Sequence, residues 1–148
     1  MRSILGNVSV EFAVGMVVIV LCAMAIIDVT AIILGAQYND YTCTEAARMA
    51  SQGPPDQANA RASAVVARAK SINSWFVSNL HIVGDATIQN TGPPIGSLQQ
   101  NGGPVVGTVA VCTEVTVQLP IALPFPGSKL TTFQTTKAFP FTYIYPTP

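Results

Sequence analysis

A single long apolar run near the start of the chain constrains its fold more than any other feature. Phe12 to Ile27 contains no charged residue, and after Asp28 the run continues from Val29 to Ala36, with Thr30 as its one polar side chain. As a helix, residues 12–36 would be about 37 Å long at about 1.5 Å per residue. That length is enough to cross a hydrocarbon core of about 30 Å. Because the run is apolar on every face, it predicts a transmembrane helix rather than a buried core helix.

The composition limits the functional classes to which the chain can belong. Its 148 residues make one domain the natural expectation. Charged residues are 9% of the chain, against about 25% in an average soluble domain, and the mean hydropathy is +0.44. The net charge is zero and there is no basic cluster, so we expect no binding to nucleic acid. The only positive charges before the apolar run are Arg2 and the amino terminus. Because positive charges that flank a span tend to stay in the cytoplasm, we expect a single-pass protein with its N-terminus in the cytoplasm and the rest outside.

Glu11 stands at the start of the apolar run, five residues after Gly6. A carboxylate near a bilayer is costly, so we expect it to be interfacial, paired or neutral. The segment from Gly6 to Phe12 reads GNVSVEF and leads directly into the apolar run. It resembles the processing site of type IV prepilins, in which a membrane-bound aspartyl peptidase cuts after the glycine. The resemblance implies that Asn7 becomes the first residue and Glu11 the fifth, whereas a simply interfacial Glu11 is the plainer alternative.

The longer stretch GNVSVEFAV most resembles the start of TadE-like pseudopilins, the pilin-like proteins of tight-adherence pili. Asp28, late in the apolar run, and the A-A-R sequence at residues 46–48 also fit this family. The resemblance covers about residues 5–50, and one departure is that Ile4 and Leu5 stand where the family often has basic residues. It implies a structural minor pilin of a tight-adherence (Flp-type) pilus.

Several roles are implied by this resemblance. Glu11 would pair with the cationic amino terminus of a neighbouring subunit, so that a wrong register leaves a buried charge unpaired. Phe12 and Asp28 would take part in subunit contacts, with Asp28 either near the outer interface or against a basic group of another subunit. The implied partners are a prepilin peptidase, other pilins, the inner-membrane assembly platform and membrane lipid. The protein would sit in a bacterial cytoplasmic membrane, and whether it enters the extracellular pilus is left open.

The remainder of the chain predicts an α+β head outside the membrane over residues 54–148, after a leader of residues 1–6 and a helix over residues 7–53. An apolar stripe at spacings of three and four predicts a second helix from about Gln57 to Leu80. Alternating apolar and polar residues predict strands at Val105–Leu119 and around Phe139–Tyr145, with a weaker strand within His81–Gln89. An antiparallel sheet packed on the helices, as in a pilin-like fold, is the simplest arrangement.

Proline and glycine determine the expected breaks in this head. Pro140 predicts that its strand lies at an edge or beside a bulge. Thr91–Pro104 and Pro120–Leu130 are predicted to be loops. The second loop contains the apolar sequence PIALPFPG, which is either an exposed contact loop or a loop folded back over the sheet.

The cysteines and the single histidine offer little for catalysis or metal binding. Cys43 and Cys112 would both lie outside the cytoplasm, where disulfides form, and are the candidate pair. However, Cys112 falls on the more polar face of its strand, so two free thiols are favoured over a bridge, and Cys22 is an apolar filler within the span. His81 has no motif around it, and there is no C-x-x-C, Walker A or dinucleotide motif. We therefore expect no enzyme activity, no metal site and no cofactor.

Two other classes of function stay open. One is a single-span, membrane-anchored extracytoplasmic binding module unrelated to pili, which needs neither cleavage at Gly6 nor a pairing role for Glu11. The other is a secreted domain, because Ala23-Met24-Ala25 has the form of a signal-peptidase site. Against the second, Glu11 interrupts the expected signal sequence and the product would begin with the apolar segment IIDVTAIILGA.

Overall fold

The computed structural model describes residues 3–71, 76–120 and 130–147, with side chains from residue 10 onward. Three α-helices and four β-strands make up this part of the chain. In chain order they are α1 (Ser3–Ala50), α2 (Ala58–Ser71), β1 (Val77–Ile82), β2 (Thr87–Asn90), α3 (Ile95–Asn101), β3 (Gly103–Gln118) and β4 (Leu130–Tyr145), with a 3-10 turn at Pro55–Gln57 before α2. The prediction of an α+β chain with a long N-terminal apolar helix and an antiparallel sheet is confirmed.

Helix α1 is one continuous element of 48 residues, about 72 Å long. It contains no proline, and its first two thirds are rich in valine, isoleucine, leucine and alanine. The helix ends at Ala50, and three residues later Gly53 adopts a φ of 111°, in the left-handed region that favours glycine. Pro54 and Pro55 follow, and neither can continue the helical hydrogen bonding.

The sheet is built around β3. Strand β4 pairs with β3 in antiparallel register along its whole length, from Gly103 opposite Tyr145 to Gln118 opposite Leu130. On the other side of β3, the shorter β2 and β1 lie end to end and are also antiparallel to it. Among the described strands β4 pairs only with β3, so Pro140 lies on an edge strand, as its missing amide proton predicts.

The core lies between one face of this sheet and the helices α1 and α2. Alternate residues of β3, from Val105 to Val117, point into it and are buried, whereas their neighbours are partly or fully exposed. The helices contribute small side chains, and alanine allows a helix to approach a sheet closely. The buried cluster consists of Ala46, Ala47, Ala50, Ala58, Ala62, Val66, Leu80, Val105, Val109, Val111, Val115, Val117 and Phe141.

The prediction of one helix from Gln57 to Leu80 is wrong at its C-terminal end. Helix α2 ends at Ser71, and Leu80 reaches the core from strand β1 instead. Asn79 has a φ of 54°, and the pairing with β3 shifts register between Ser78 and His81, as at a β-bulge. The sequence spacing predicted that Leu80 faces the core from a helix, whereas it faces the core from a strand, next to the bulge. Residues 72–75 of the prediction lie outside the described residues.

Two other boundaries differ from the sequence prediction. The weak strand expected within His81–Gln89 is two strands, β1 and β2, separated by a turn that contains Gly84 with a φ of 74°. The predicted loop Thr91–Pro104 contains the short helix α3. Most of the predicted loop Pro120–Leu130, including the candidate contact sequence, lies outside the described residues.

Candidate functional site

The N-terminal part of α1 is an apolar surface that the head does not cover. From Val10 to Ile27 almost every side chain is exposed, over about 27 Å of helix. Phe12, Val14 and Val20 point in three different directions around the helix and are 70%, 59% and 52% exposed. The most apolar window of 18 residues has a mean hydropathy of 2.9, and only 11% of it is buried. This helix is therefore long and apolar enough to cross a membrane.

Glu11 and Phe12 lie at the N-terminal end of this apolar surface, and both are exposed. Glu11 is the only charged residue between Val10 and Ile27. Gly6 and Asn7 lie in the same helix, less than two turns before Glu11. The structure thus places the predicted processing site and the predicted register carboxylate on one continuous helix, at the end remote from the head.

Asp28 lies in a different environment. Its side chain is only 4% exposed, within its own chain. It begins a buried stripe at helical spacing that continues with Ala31, Gly35, Asn39 and Thr42. The head therefore lies against one face of α1 from Asp28 onward, and the pairing of Asp28 with another subunit is disfavoured because its carboxylate is not on the open helix surface. The other face of α1 stays apolar and exposed as far as Leu34.

Gly35 sets how closely the head approaches α1. A Cβ atom added at this position would overlap the side chain of Val117 in β3. Because Gly35 has no side chain, β3 can pack directly against the helix backbone at this level. The predicted span of residues 12–36 thus overlaps the docked region on this one face.

A buried polar cluster fixes the next turns of α1 on the sheet. Asn39 is fully buried, and its Nδ2 donates to the carbonyl of Phe133 at 3.2 Å and lies 3.2 Å from Thr135 Oγ1. Its Oδ1 accepts from the hydroxyl of Thr113 at 2.9 Å. One turn later, the thiol of Cys43 lies 3.3 Å from the carbonyl of Val111, to which it can donate. Burial raises the pKa of the Cys43 thiol, which keeps it protonated as a donor.

The candidate disulfide between Cys43 and Cys112 is not present. Both are free thiols. Cys43 meets the core side of β3 at Val111, whereas Cys112 is the next residue along the strand and therefore points to the opposite face of the sheet. There it lies 3.2 Å from the side-chain nitrogen of Gln134.

Two further contacts hold the helices and the sheet together above the apolar run. The Tyr38 hydroxyl donates to the carbonyl of Ala69 at 2.7 Å, and Lys137 in β4 makes an ion pair of 2.8 Å with Asp40. The hydrogen bond to Asp40 raises the pKa of the Lys137 ammonium. These contacts, with the Asn39 cluster, were missed by sequence reasoning, and their only sequence sign is the change to consecutive polar residues after Ala36, from Gln37 to Thr42.

Arg61 of α2 caps the C-terminus of α1. Its Nε donates to the carbonyl of Met49 at 3.0 Å, and its Nη2 donates to those of Ala50 and Pro54 at 2.9 and 2.8 Å. The last carbonyls of a helix have no partner within it, so those of Met49 and Ala50 are open to such a donor, and a guanidinium also complements the negative end of the helix dipole. Arg61 therefore fixes α2 antiparallel to α1.

Three further observations concern the polar side chains and the cavities of the described residues. Within residues 10–71, 76–120 and 130–147, no group of three histidine, cysteine or acidic residues could hold a metal ion. His81 and Glu114 face each other at 4.0 Å on β1 and β3, and both are partly exposed. A half-open groove of about 390 Å³ between α1 and α2 is lined in part by Tyr41, Glu45 and Arg68.

No family model, curated protein or solved structure matches the chain.

Proposed function

We propose that this protein is a TadE-like minor pilin, a structural subunit of a tight-adherence pilus that a prepilin peptidase processes after Gly6. The observation that carries the proposal is the apolar surface of α1 between Val10 and Ile27, exposed on every side, with Glu11 as its only charged residue. An isolated helix that is apolar all round needs lipid or other helices to cover it. Lipid would cover it before assembly, and the helices of neighbouring subunits would cover it afterwards.

Glu11 supplies the specificity of this assembly. Cleavage after Gly6 would create a cationic amino group at Asn7, about one helical turn from Glu11. When parallel helices stack with a stagger, the carboxylate of one subunit pairs with the amino group of the next. A register that leaves either charge buried and unpaired costs several kcal/mol, so the pair selects one stagger among many that are equally apolar.

Phe12 and Asp28, both predicted to take part in subunit contacts, differ in exposure. Phe12 is 70% exposed beside Glu11 and offers a large aromatic surface to a neighbouring helix. Asp28 is buried in its own chain, so we assign it to the junction between the helix and the head instead of to subunit contacts.

The second candidate function is a single-span, membrane-anchored binding module. The groove between α1 and α2 favours it, since Tyr41, Glu45 and Arg68 could meet a small polar ligand there. This function needs neither cleavage at Gly6 nor a partner for Glu11.

The first test is the N-terminal residue of the protein purified from its native membrane, measured by intact mass and terminal peptide sequencing. We expect a chain that begins at Asn7. A chain that begins at Met1, from cells with an active prepilin peptidase, contradicts the proposal and favours the anchored module. A chain that begins at Ile26 would instead mean secretion.

The second test separates assembly from processing. We expect Glu11→Gln and Glu11→Ala to be cleaved after Gly6 but to reduce pilus formation at least tenfold in sheared fractions, because the pairing charge is lost. Glu45→Gln is the matched control, since it removes one carboxylate from the same helix beyond the apolar run. Pili formed at wild-type levels by both Glu11 variants would contradict the register role.

A further inference from the structure

The contacts between α1 and α2 determine the level at which each part of α2 lies along α1. Arg61, near the start of α2, bonds the last carbonyls of α1 at Met49 and Ala50. Ala69, near the end of α2, accepts the hydroxyl of Tyr38. The last turn of α2 therefore lies beside Tyr38, which is two residues beyond the apolar run, or about 3 Å along the helix.

This last turn carries two basic side chains, Arg68 and Lys70, and both are exposed. Neither takes part in the ion pairs found among the described residues, in which Arg48 pairs with Glu45, Lys137 with Asp40 and His81 with Glu114. Tyr41, at nearly the same level, is 71% exposed. On the α2 side of α1, the end of the head toward the apolar run thus presents two cations and an aromatic ring, whereas on the other side β3 reaches further along α1, to Gly35.

Two acidic side chains lie near the other end of α2. Asp56 lies in the 3-10 turn that precedes α2. Asp85 accepts a hydrogen bond of 2.7 Å from Asn59, in the first turn of α2. The last turn of α2 therefore carries cations alone, whereas the other end, about 20 Å away at about 1.5 Å per residue, has two carboxylates beside Arg61, whose guanidinium is bonded to the carbonyls at the end of α1.

We propose that the last turn of α2 binds the headgroups of anionic phospholipids in the leaflet on the head side of the membrane, through Arg68 and Lys70. The inference rests on the membrane insertion of α1 in the proposed function. Each headgroup layer is about 5–7 Å deep, so a basic side chain at the level of Tyr38 reaches the phosphates. Basic residues near an anionic surface are attracted within about one Debye length, and exposed tyrosine is favoured at the same depth.

The test uses the full chain in phosphatidylcholine vesicles that contain a trace of spin-labelled phosphatidylglycerol or spin-labelled phosphatidylcholine. Electron paramagnetic resonance reports the fraction of each lipid that the protein immobilises. We expect phosphatidylglycerol to be preferred about fivefold, and the preference to fall toward one in Arg68→Gln/Lys70→Gln and at 1 M salt.

Arg48→Gln is the control for the single variants Arg68→Gln and Lys70→Gln, because each of the three removes one positive charge. Arg48 is exposed on α1, about 15 Å further from the membrane than Tyr38, so its loss should leave the preference unchanged. Equal immobilisation of both lipids by the wild type overturns the headgroup site but leaves the membrane span intact. An absence of any immobilised lipid overturns both, because α1 is then not inserted.

Discussion

The side-chain oxygen of Asn39 in α1 accepts a hydrogen bond of 2.9 Å from the hydroxyl of Thr113 in β3, 74 residues later in the chain. Both residues are fully buried. Because a buried amide is stable only when its hydrogen-bonding groups are satisfied, this pair fits one rotation and one height of α1 on the sheet. The head is thereby held in a defined orientation relative to the exposed apolar helix.

Asn39→Ala tests this pair. The substitution leaves the Thr113 hydroxyl and the Phe133 carbonyl without their buried partner, and we expect the free energy of unfolding of the head to fall by about 2–4 kcal/mol. Urea unfolding in detergent micelles, followed by circular dichroism, measures the change. Thr44→Ala is the control, since the Thr44 hydroxyl donates to the Asp40 carbonyl, within its own helix and on the helix surface. An equal effect of both variants would count against the Asn39 cluster.

Gly35→Ala tests the close approach of β3 to α1. The added methyl group overlaps Val117, so we expect a loss of about 1–3 kcal/mol from overpacking. Gly15→Ala is the matched control on the same helix, because a Cβ atom there meets nothing within 4 Å. The double variant Gly35→Ala/Val117→Ala should recover part of the loss. Wild-type stability in Gly35→Ala would mean that the head docks elsewhere.

Arg61→Gln tests the closure of the α1 C-terminus. Three charged hydrogen bonds are lost from partly buried carbonyls, and we expect a destabilisation of about 2–3 kcal/mol. Arg48→Gln has the same change in charge but removes only an exposed ion pair with Glu45, for which we expect less than about 1 kcal/mol. Hydrogen exchange of residues 47–53 should rise in the first variant and stay unchanged in the second.

Alkaline pH should destabilise the head. The pKa values of Tyr38 and Cys43 are raised by burial, and that of Lys137 is raised by its hydrogen bond to Asp40. For each group, the folded state holds its proton to higher pH than the unfolded state does. The stability is therefore complete below the unfolded pKa values, which begin at 9.0 for the thiol, and is lost as pH rises through the folded values.

The contribution of Cys43 can be separated from the other two. Its ordinary pKa is the lowest of the three, so Cys43→Ala should remove the earliest part of the decline, between about pH 9 and pH 10. Cys112→Ala is the control, since Cys112 lies on the other face of the sheet. Unfolding free energies measured at several pH values check both variants. A wild-type stability that stays constant from pH 8 to pH 11 would contradict this account.

The sequence by itself determined the features that depend on local pattern. The apolar run from Phe12 predicted a long helix, because no other secondary structure can satisfy the backbone within so long an apolar segment. The alternation in β3 predicted both its inward face and the separation of Cys112 from the core side. Pro140 predicted a strand at an edge or beside a bulge, because proline has no amide proton for a second neighbour.

Only the tertiary structure decided the features that depend on distant contacts. Leu80 has helical spacing from Phe76, but pairing with β3 and the bulge at Asn79 place it in a strand. The sequence left Asp28 either near the outer interface or against a basic group of another subunit, and its burial in its own chain follows from where the head docks. That docking depends on Gly35 meeting Val117 and on Asn39 meeting Thr113. No local periodicity contains these pairs, because their members are brought together only by packing between elements that are far apart in the chain.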